Sequence, residues 1–382
     1  MSPTPTVTSI IAITVGWTGV NRLALPLLVT TDRKNPLRRL TFAVAAVTAA
    51  ALALSGCSAS APQSTSATGG TVAGTNITVY NAQHEELTKA WADAFTKESG
   101  VTVTLRNGDD SELGNQLVQE DTASPADVFL TENSPAMSLV DNAGLLAKVD
   151  AMTLAQVPAA YKPSTGTWAG IAARSTVMVY NPAKIAADQL PQSLLDLQNP
   201  EWKGRWAASP AGADFQAIVS ALLAQEGKDK TLAWLKAMKD NSVAYKSNST
   251  VLKSVNAGEV PLGITYHYYW FVDQAGTQEN SADTKLAYFK NQDPGAFVSI
   301  SGGGVLKSSK KQAAAQAFLK FITGKKGQDI LRTGTSFEYP IASDVAPNAA
   351  LLTLDSLEAP EIDPSKLNNK TVTDLMTQAG LI

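Results

Sequence analysis

Two tyrosines stand side by side in the run Gly263-Ile264-Thr265-Tyr266-His267-Tyr268-Tyr269-Trp270, and the chain holds only two histidines, His84 and His267. Tyr268, Tyr269, His84 and Glu132 together would offer two phenolates, an imidazole and a carboxylate, a hard and mostly oxygen donor set. Anionic oxygen donors suit a small, highly charged cation better than a soft one, so ferric iron is the first candidate. Each residue also has a plainer explanation. His84 can be a polar first-turn residue facing water, and Glu132 a loop carboxylate or helix cap. Tyr268-Tyr269-Trp270 can be a packed aromatic cluster whose hydroxyls find hydrogen-bond partners. Adjacent residues on an extended segment point apart, so His267 and Tyr268 reach one site only if the backbone turns.

The elements that would carry these residues read as alternating strand and helix. Ile77-Thr78-Val79-Tyr80 predicts a strand, and Asn81 can cap a helix with His84, Glu85 and Glu86 in its first turn and Leu87, Trp91, Ala94 and Phe95 on one face. Val101 to Leu105 alternates as a strand, Glu112 to Glu120 reads as a helix, and Ala126 to Leu130 is an apolar strand that delivers Thr131 and Glu132 into a loop. Further strands are expected at 176–180, 204–208 and 261–265, with helices at 215–225, 228–239, 310–323, 325–332 and 371–379. Such alternation argues for an α/β sheet with crossover helices, where ligands collect at the carboxyl ends of strands. His84 and Glu132 fall just past two such ends.

A chain of 382 residues, 44% hydrophobic and 17% charged, is long enough for two domains with cores of their own. A net charge of −3 and the lack of a basic stripe interleaved with aromatics argue against nucleic acid as a partner. The single cysteine ends Leu54-Ser55-Gly56-Cys57, a bacterial lipobox. Before it lie Arg33, Lys34, Arg38 and Arg39 and then an apolar run from Leu40 to Leu54, the order of a secretory signal. The run is too short for a permanent span, so Cys57 is expected to carry lipid and anchor the mature protein to the cell membrane. Residues 1–56 are therefore a leader, the first 32 read as an overextended start, and 57–75, rich in Ser, Ala, Thr and Gly, a flexible tether. Arg38-Arg39 fits a general secretory or a twin-arginine route equally.

No Gly-x-Ser-x-Gly elbow, phosphate loop, His-Glu-x-x-His helix or cysteine pair is present, and Gly302-Gly303-Gly304 lacks the spacing of a dinucleotide fingerprint. Binding is thus favoured over catalysis. A binder of another small solute, such as an organic anion or a polyamine, and a cell-surface hydrolase stand as the alternatives.

The chain resembles the ferric-ion-binding proteins, the substrate-binding components of bacterial iron(III) ABC importers. The resemblance rests on Ile77 through His84, on Ser124-Pro125-Ala126-Asp127-Val128-Phe129 leading to Glu132, and on Tyr268-Tyr269-Trp270. It continues through Asp293-Pro294-Gly295-Ala296, Val305 to Ser309, Glu338-Tyr339-Pro340 and Leu357-Glu358-Ala359-Pro360. It implies a two-lobed periplasmic-binding-protein fold of type II, with a hinge and a ligand cleft between lobes. The lobes would be 76–175 with 299–349 and 176–298 with 350–382, in a monomer that serves a permease. It implies His84, Glu132, Tyr268 and Tyr269 as iron ligands. It also implies a small anion such as phosphate, held by Ser209, Ala211, Gly212 and Ala213 at a helix start and by Asn248. Backbone N–H groups at a helix N-terminus suit an anion on physical grounds as well. Tyr266 departs from the pattern, standing where an anion-contacting asparagine is usual; a phenol can donate to an anion but is bulkier than an amide.

Overall fold

The computed structural model describes residues 72–367 and 369–382. The leader, Cys57 and most of the expected tether lie outside them. The tether ends earlier than its composition suggests. Val72 packs against the core that holds Ile77 and Trp91, and the Gly74 N–H donates to the Gly100 carbonyl at 2.9 Å, so the chain is held to the body before Thr75.

The elements in order are β1 (Asn76–Asn81), α1 (Glu85–Ser99), β2 (Thr102–Asn107), α2 (Asp110–Glu120), β3 (Val128–Leu130), α3 (Ser134–Asn142), α4 (Ala151–Ala155) and β4 (Trp168–Tyr180). There follow β5 (Trp206–Ala208), α5 (Ala213–Glu226), α6 (Lys228–Asn241), β6 (Ser242–Ala244), α7 (Asn248–Asn256), β7 (Leu262–Tyr266), α8 (His267–Ala275) and β8 (Lys285–Ala287). The chain closes with β9 (Val298–Val305), α9 (Gln312–Thr323), α10 (Lys325–Thr333) and α11 (Asn369–Ala379).

The strands run in the order β2-β1-β3-β9-β4-β7-β5-β6, with β8 also on β4. β1 is parallel to both neighbours, and so is β5. The antiparallel pairs all involve β4 or β9. β4 is much longer than its apolar tail, 176–180, predicts. Its first part, Trp168 to Ser175, pairs with β9; its last part, Thr176 to Tyr180, pairs with β7. The architecture is therefore two-lobed α/β, one strand serving both halves.

Side-chain alternation explains the cores. Ile77 and Val79 of β1 and Val128 and Leu130 of β3 point to one face, where Trp91 and Phe95 of α1 and Phe318 and Leu319 of α9 pack. Tyr80 and Phe129 point to the other, with Met137, Trp168, Ile300, Leu351 and Leu357. A separate core gathers Met178, Trp206, Phe215, Trp234, Leu262 and Leu375. The spacing of Leu87, Trp91 and Phe95 supplies the apolar stripe of α1, and Gly100 ends that helix in the left-handed conformation, φ 72°. Gly302-Gly303-Gly304 lies inside β9: a Cβ at Gly303 would stand 2.7 Å from Leu319 Cδ1, so these glycines serve close packing rather than a turn.

Candidate metal centre

Four strand ends build the site. β1 stops at Asn81 and His84 becomes the cap of α1, one position before the first turn in which it was expected. β3 stops at Leu130, two residues before Glu132. β7 runs to Tyr266, where the backbone turns into α8, so Tyr268 and Tyr269 lie in a first helical turn. β5 stops at Ala208, and the turn after it starts α5 at Ala213 with Asp214 next. All four belong to parallel pairs, and all four deliver residues at their carboxyl ends, where sheet geometry leaves room for a ligand.

The expected residues meet. The His84 and Tyr268 rings lie edge to face with centroids 5.0 Å apart, and the Tyr268 and Tyr269 rings stack at 4.2 Å. His84 Nδ1 is 3.4 Å from Glu132 Oε1, and His84 Nε2 is buried without a hydrogen-bond partner. His267 is turned away. Its ring packs on Tyr339, its Nδ1 accepts from the Ser175 N–H at 3.2 Å, and its Nε2 then donates to the Phe337 carbonyl at 2.8 Å. Phe337 holds a left-handed backbone, φ 54°.

A residue not anticipated from sequence lies at the centre. Asp214 Oδ2 accepts from Tyr268 OH at 3.3 Å, from Tyr269 OH at 3.0 Å and from Asn248 Nδ2 at 2.8 Å. Its other oxygen accepts from Asn133 Nδ2 at 3.0 Å. Asn248 thus spends its donor on a side chain of this chain. Tyr266 is fully buried, with its hydroxyl 3.3 Å from both Asn133 Oδ1 and the Asp214 carbonyl. In the turn before α5 the Gly212 N–H donates to the Ser209 carbonyl at 3.1 Å, the Ala211 carbonyl accepts from Gln216, and Ser209 Oγ is buried without a partner. Asp214 could have been suspected: an acid directly after Ser209-Pro210-Ala211-Gly212-Ala213 sits where a helix N-terminus favours negative charge.

The remaining charges are buried behind this cluster. Arg174, fully enclosed on β4, donates through Nη1 to Glu132 Oε2 at 3.1 Å and lies 3.8 Å from Asp214 Oδ1. Through Nη2 it meets Glu338, Gln83 and Ser301. A lone cation in the apolar run from Trp168 to Tyr180 is the one sequence signal that could have marked it. Asp110 accepts from the backbone N–H groups of Glu132 and Asn133, both at 2.9 Å, and fixes the loop after β3.

Burial governs protonation here. It pushes the Glu132 carboxyl up to about 7 against the pull of Arg174, with Asp214 and Glu338 adding to the rise. Burial likewise holds His84 below its usual value, and so neutral. Burial first, then the Asp214 charge, drives Tyr268 and Tyr269 far above the ordinary phenol range. Glu338 would be raised by burial too, but the Arg174 guanidinium outweighs it and holds it low. No cluster of three or more His, Cys, Asp or Glu fit for a metal occurs among the described residues without the tyrosines. A cavity of about 900 Å³ opens beside them, lined in part by His84, Tyr268, Tyr269, Asp273 and Ser336.

The family profile described as bacterial extracellular solute-binding protein matches residues 123–357. A Serratia marcescens protein named Fe(3+)-binding periplasmic protein is 68% identical over 306 residues, covering 80% of this chain and 90% of its own length. The chain belongs to the ferric-ion-binding group of these solute-binding proteins. The major ferric iron-binding protein of Neisseria meningitidis serogroup B is 36% identical over 82% of this chain and 96% of its own. The crystal structure of iron-bound HitA from Pseudomonas aeruginosa superposes with a TM-score of 0.75 at 36% identity, over 80% of this chain and 99% of that one. Membership makes this an extracytoplasmic solute-binding protein with the type II two-lobed fold.

Proposed function

We propose that the protein captures ferric iron between its lobes and delivers it to the permease of an ABC importer. The observation that carries this reading is the convergence of Tyr268 and Tyr269 on the Asp214 carboxylate, with the His84 ring edge to face on Tyr268 and Glu132 next to His84. His84 and Glu132 belong on this reading to one lobe, 76–175 with 299–349, and the tyrosine pair to the other, 176–298 with 350–382. Leu351 and Leu357 pack in the core of Tyr80 and Phe129, which favours a return to the second lobe after Leu357 rather than at 350. Donors from two lobes make metal binding and cleft closure one event.

Asp214 takes the place expected of a separate anion. It stands at the same helix start, and Asn248, one of the anion's expected holders, already donates to it. The ligand set is then His84, Glu132, Tyr268, Tyr269 and Asp214, with Ser209, Ala211, Gly212, Ala213 and Tyr266 shaping the Asp214 pocket. Outside the described residues, we read Cys57 as the lipidated first residue of the mature chain, holding the carrier at the cell membrane.

Ferric phenolates are coloured, so the wild-type protein should gain a visible band with iron. Tyr268→Phe and Tyr269→Phe keep the rings but remove the oxygens; each should weaken the band and lower iron retention against citrate by roughly tenfold or more. Unchanged iron binding in the double variant would refute the ligand assignment.

Added phosphate should change wild-type iron retention by less than about twofold, under ~0.4 kcal/mol. In Asp214→Asn, retention should drop and become phosphate-dependent. A wild-type protein that needs phosphate would sink the Asp214 reading.

Iron must displace the protons of two phenols held neutral by burial and by Asp214, and part of the proton on Glu132, whose carboxyl titrates near 7. The bound state holds fewer protons, so affinity falls as pH drops, with about two protons released per iron above neutrality and more below it. Iron affinity measured from pH 8 to pH 6 checks the slope. A flat profile contradicts phenolate ligation.

Membrane-extracted protein analysed by mass spectrometry should begin at a lipid-modified Cys57. A dominant peptide spanning Gly56 and Cys57 would remove the anchor from the scheme.

A further inference from the structure

One guanidinium nitrogen touches a carboxylate from each side of the cleft. Arg174 Nη1 donates to Glu132 Oε2 at 3.1 Å and lies 3.8 Å from Asp214 Oδ1. In both carboxylates it meets the rear oxygen. The front oxygen of Glu132, Oε1, then faces His84 at 3.4 Å, and that of Asp214, Oδ2, faces the hydroxyls of Tyr268 and Tyr269. The other edge of the guanidinium is pinned: Nη2 donates to Glu338, to Ser301 Oγ at 3.1 Å and to Gln83 Oε1 at 3.3 Å. The fork also lies over the Tyr268 ring, 5.2 Å from its centroid. Arg174 and Glu338 are both fully buried, so neither can turn to water.

We propose that Arg174 is a positioning residue for iron capture: anchored by Glu338, Gln83 and Ser301, it holds the front oxygen of Glu132 toward His84 and that of Asp214 toward the tyrosine pair before metal arrives. The proposal rests on the ligand reading above, and adds a residue that does not itself touch the metal. A planar fork with fixed donor directions can serve both carboxylates and the anchor together; a single ammonium cannot. Groups that orient a metal ligand from behind typically contribute 10- to 100-fold in metal affinity.

The test uses the full chain and iron(III) offered from citrate. The double variant Arg174→Gln/Glu338→Gln removes one positive and one negative buried charge, so the charge of the pocket is unchanged while the fork is lost. Iron retention against citrate should fall by roughly tenfold or more. The electron paramagnetic resonance line of the remaining ferric iron should broaden, because the ligand geometry is no longer unique. Glu338→Gln alone leaves Gln83 and Ser301 on the fork and should lose less. Arg174→Lys keeps the charge and should recover only part of the loss. Circular dichroism establishes that each variant is folded; if the double variant is not, Arg174→Lys decides alone. Retention within about twofold of wild type, under ~0.4 kcal/mol, with an unchanged line shape in the folded variant overturns the proposal. A wild-type protein with no visible band on adding iron overturns the ligand reading itself, and that outcome is seen before any variant is made.

Discussion

A strand buried along its whole length must find partners for every backbone N–H and C=O, because no water reaches it. β4 meets that requirement over 13 residues, all buried, by changing partners part-way: β9 serves its first part, and β7 and β8 its last. The two halves of the molecule are thereby joined through one continuous element. The change of partner falls at Ser175 and Thr176, directly after Arg174, and the Ser175 N–H turns to the ring of His267 at the root of the tyrosine helix. What holds the halves together and what orients the site are consecutive residues.

The second constraint is charge. Glu132, Glu338 and Asp214 share one guanidinium, and like charges in a low-dielectric interior raise each other's cost. The cluster answers with a carboxyl that titrates near neutrality, a neutral His84 and phenols that keep their protons. This is an arrangement short of positive charge, and a trivalent cation is the partner that would let all its oxygen donors ionise together. Desolvation that would be costly for an empty pocket becomes selectivity for a highly charged guest.

Much of this was legible in the chain. Alternating strand and helix marked the α/β class, and His84, Glu132 and the tyrosine pair, singled out for their donor types, lie near one another in the fold. The length of β4 was hidden because Trp168 to Ser175 mixes glycine, alanine, arginine and serine, so its strand character comes from burial between neighbours rather than from local preference. Asp214 and Arg174 were missed for a related reason. Each is a single charged residue whose meaning comes from partners far along the chain: Asn133 and Tyr269 for the one, Glu132 and Glu338 for the other. Tyr266, where the resemblance led one to expect an asparagine, is buried with its hydroxyl donating to Asn133 Oδ1.

Phe337 carries a different kind of consequence. A bulky residue in the left-handed region costs about 1–3 kcal/mol, and here the cost is borne beside two anchors, the Phe337 carbonyl accepting from His267 and the adjacent Glu338 clasping Arg174. Its ring stacks on Phe271 of α8, centroids 5.9 Å apart. The loop is therefore a place where robustness and accuracy pull in opposite directions. Relaxing that dihedral would shift the Phe337 carbonyl and Glu338 together, so the grip on His267 and the grip on Arg174 stand or fall as one.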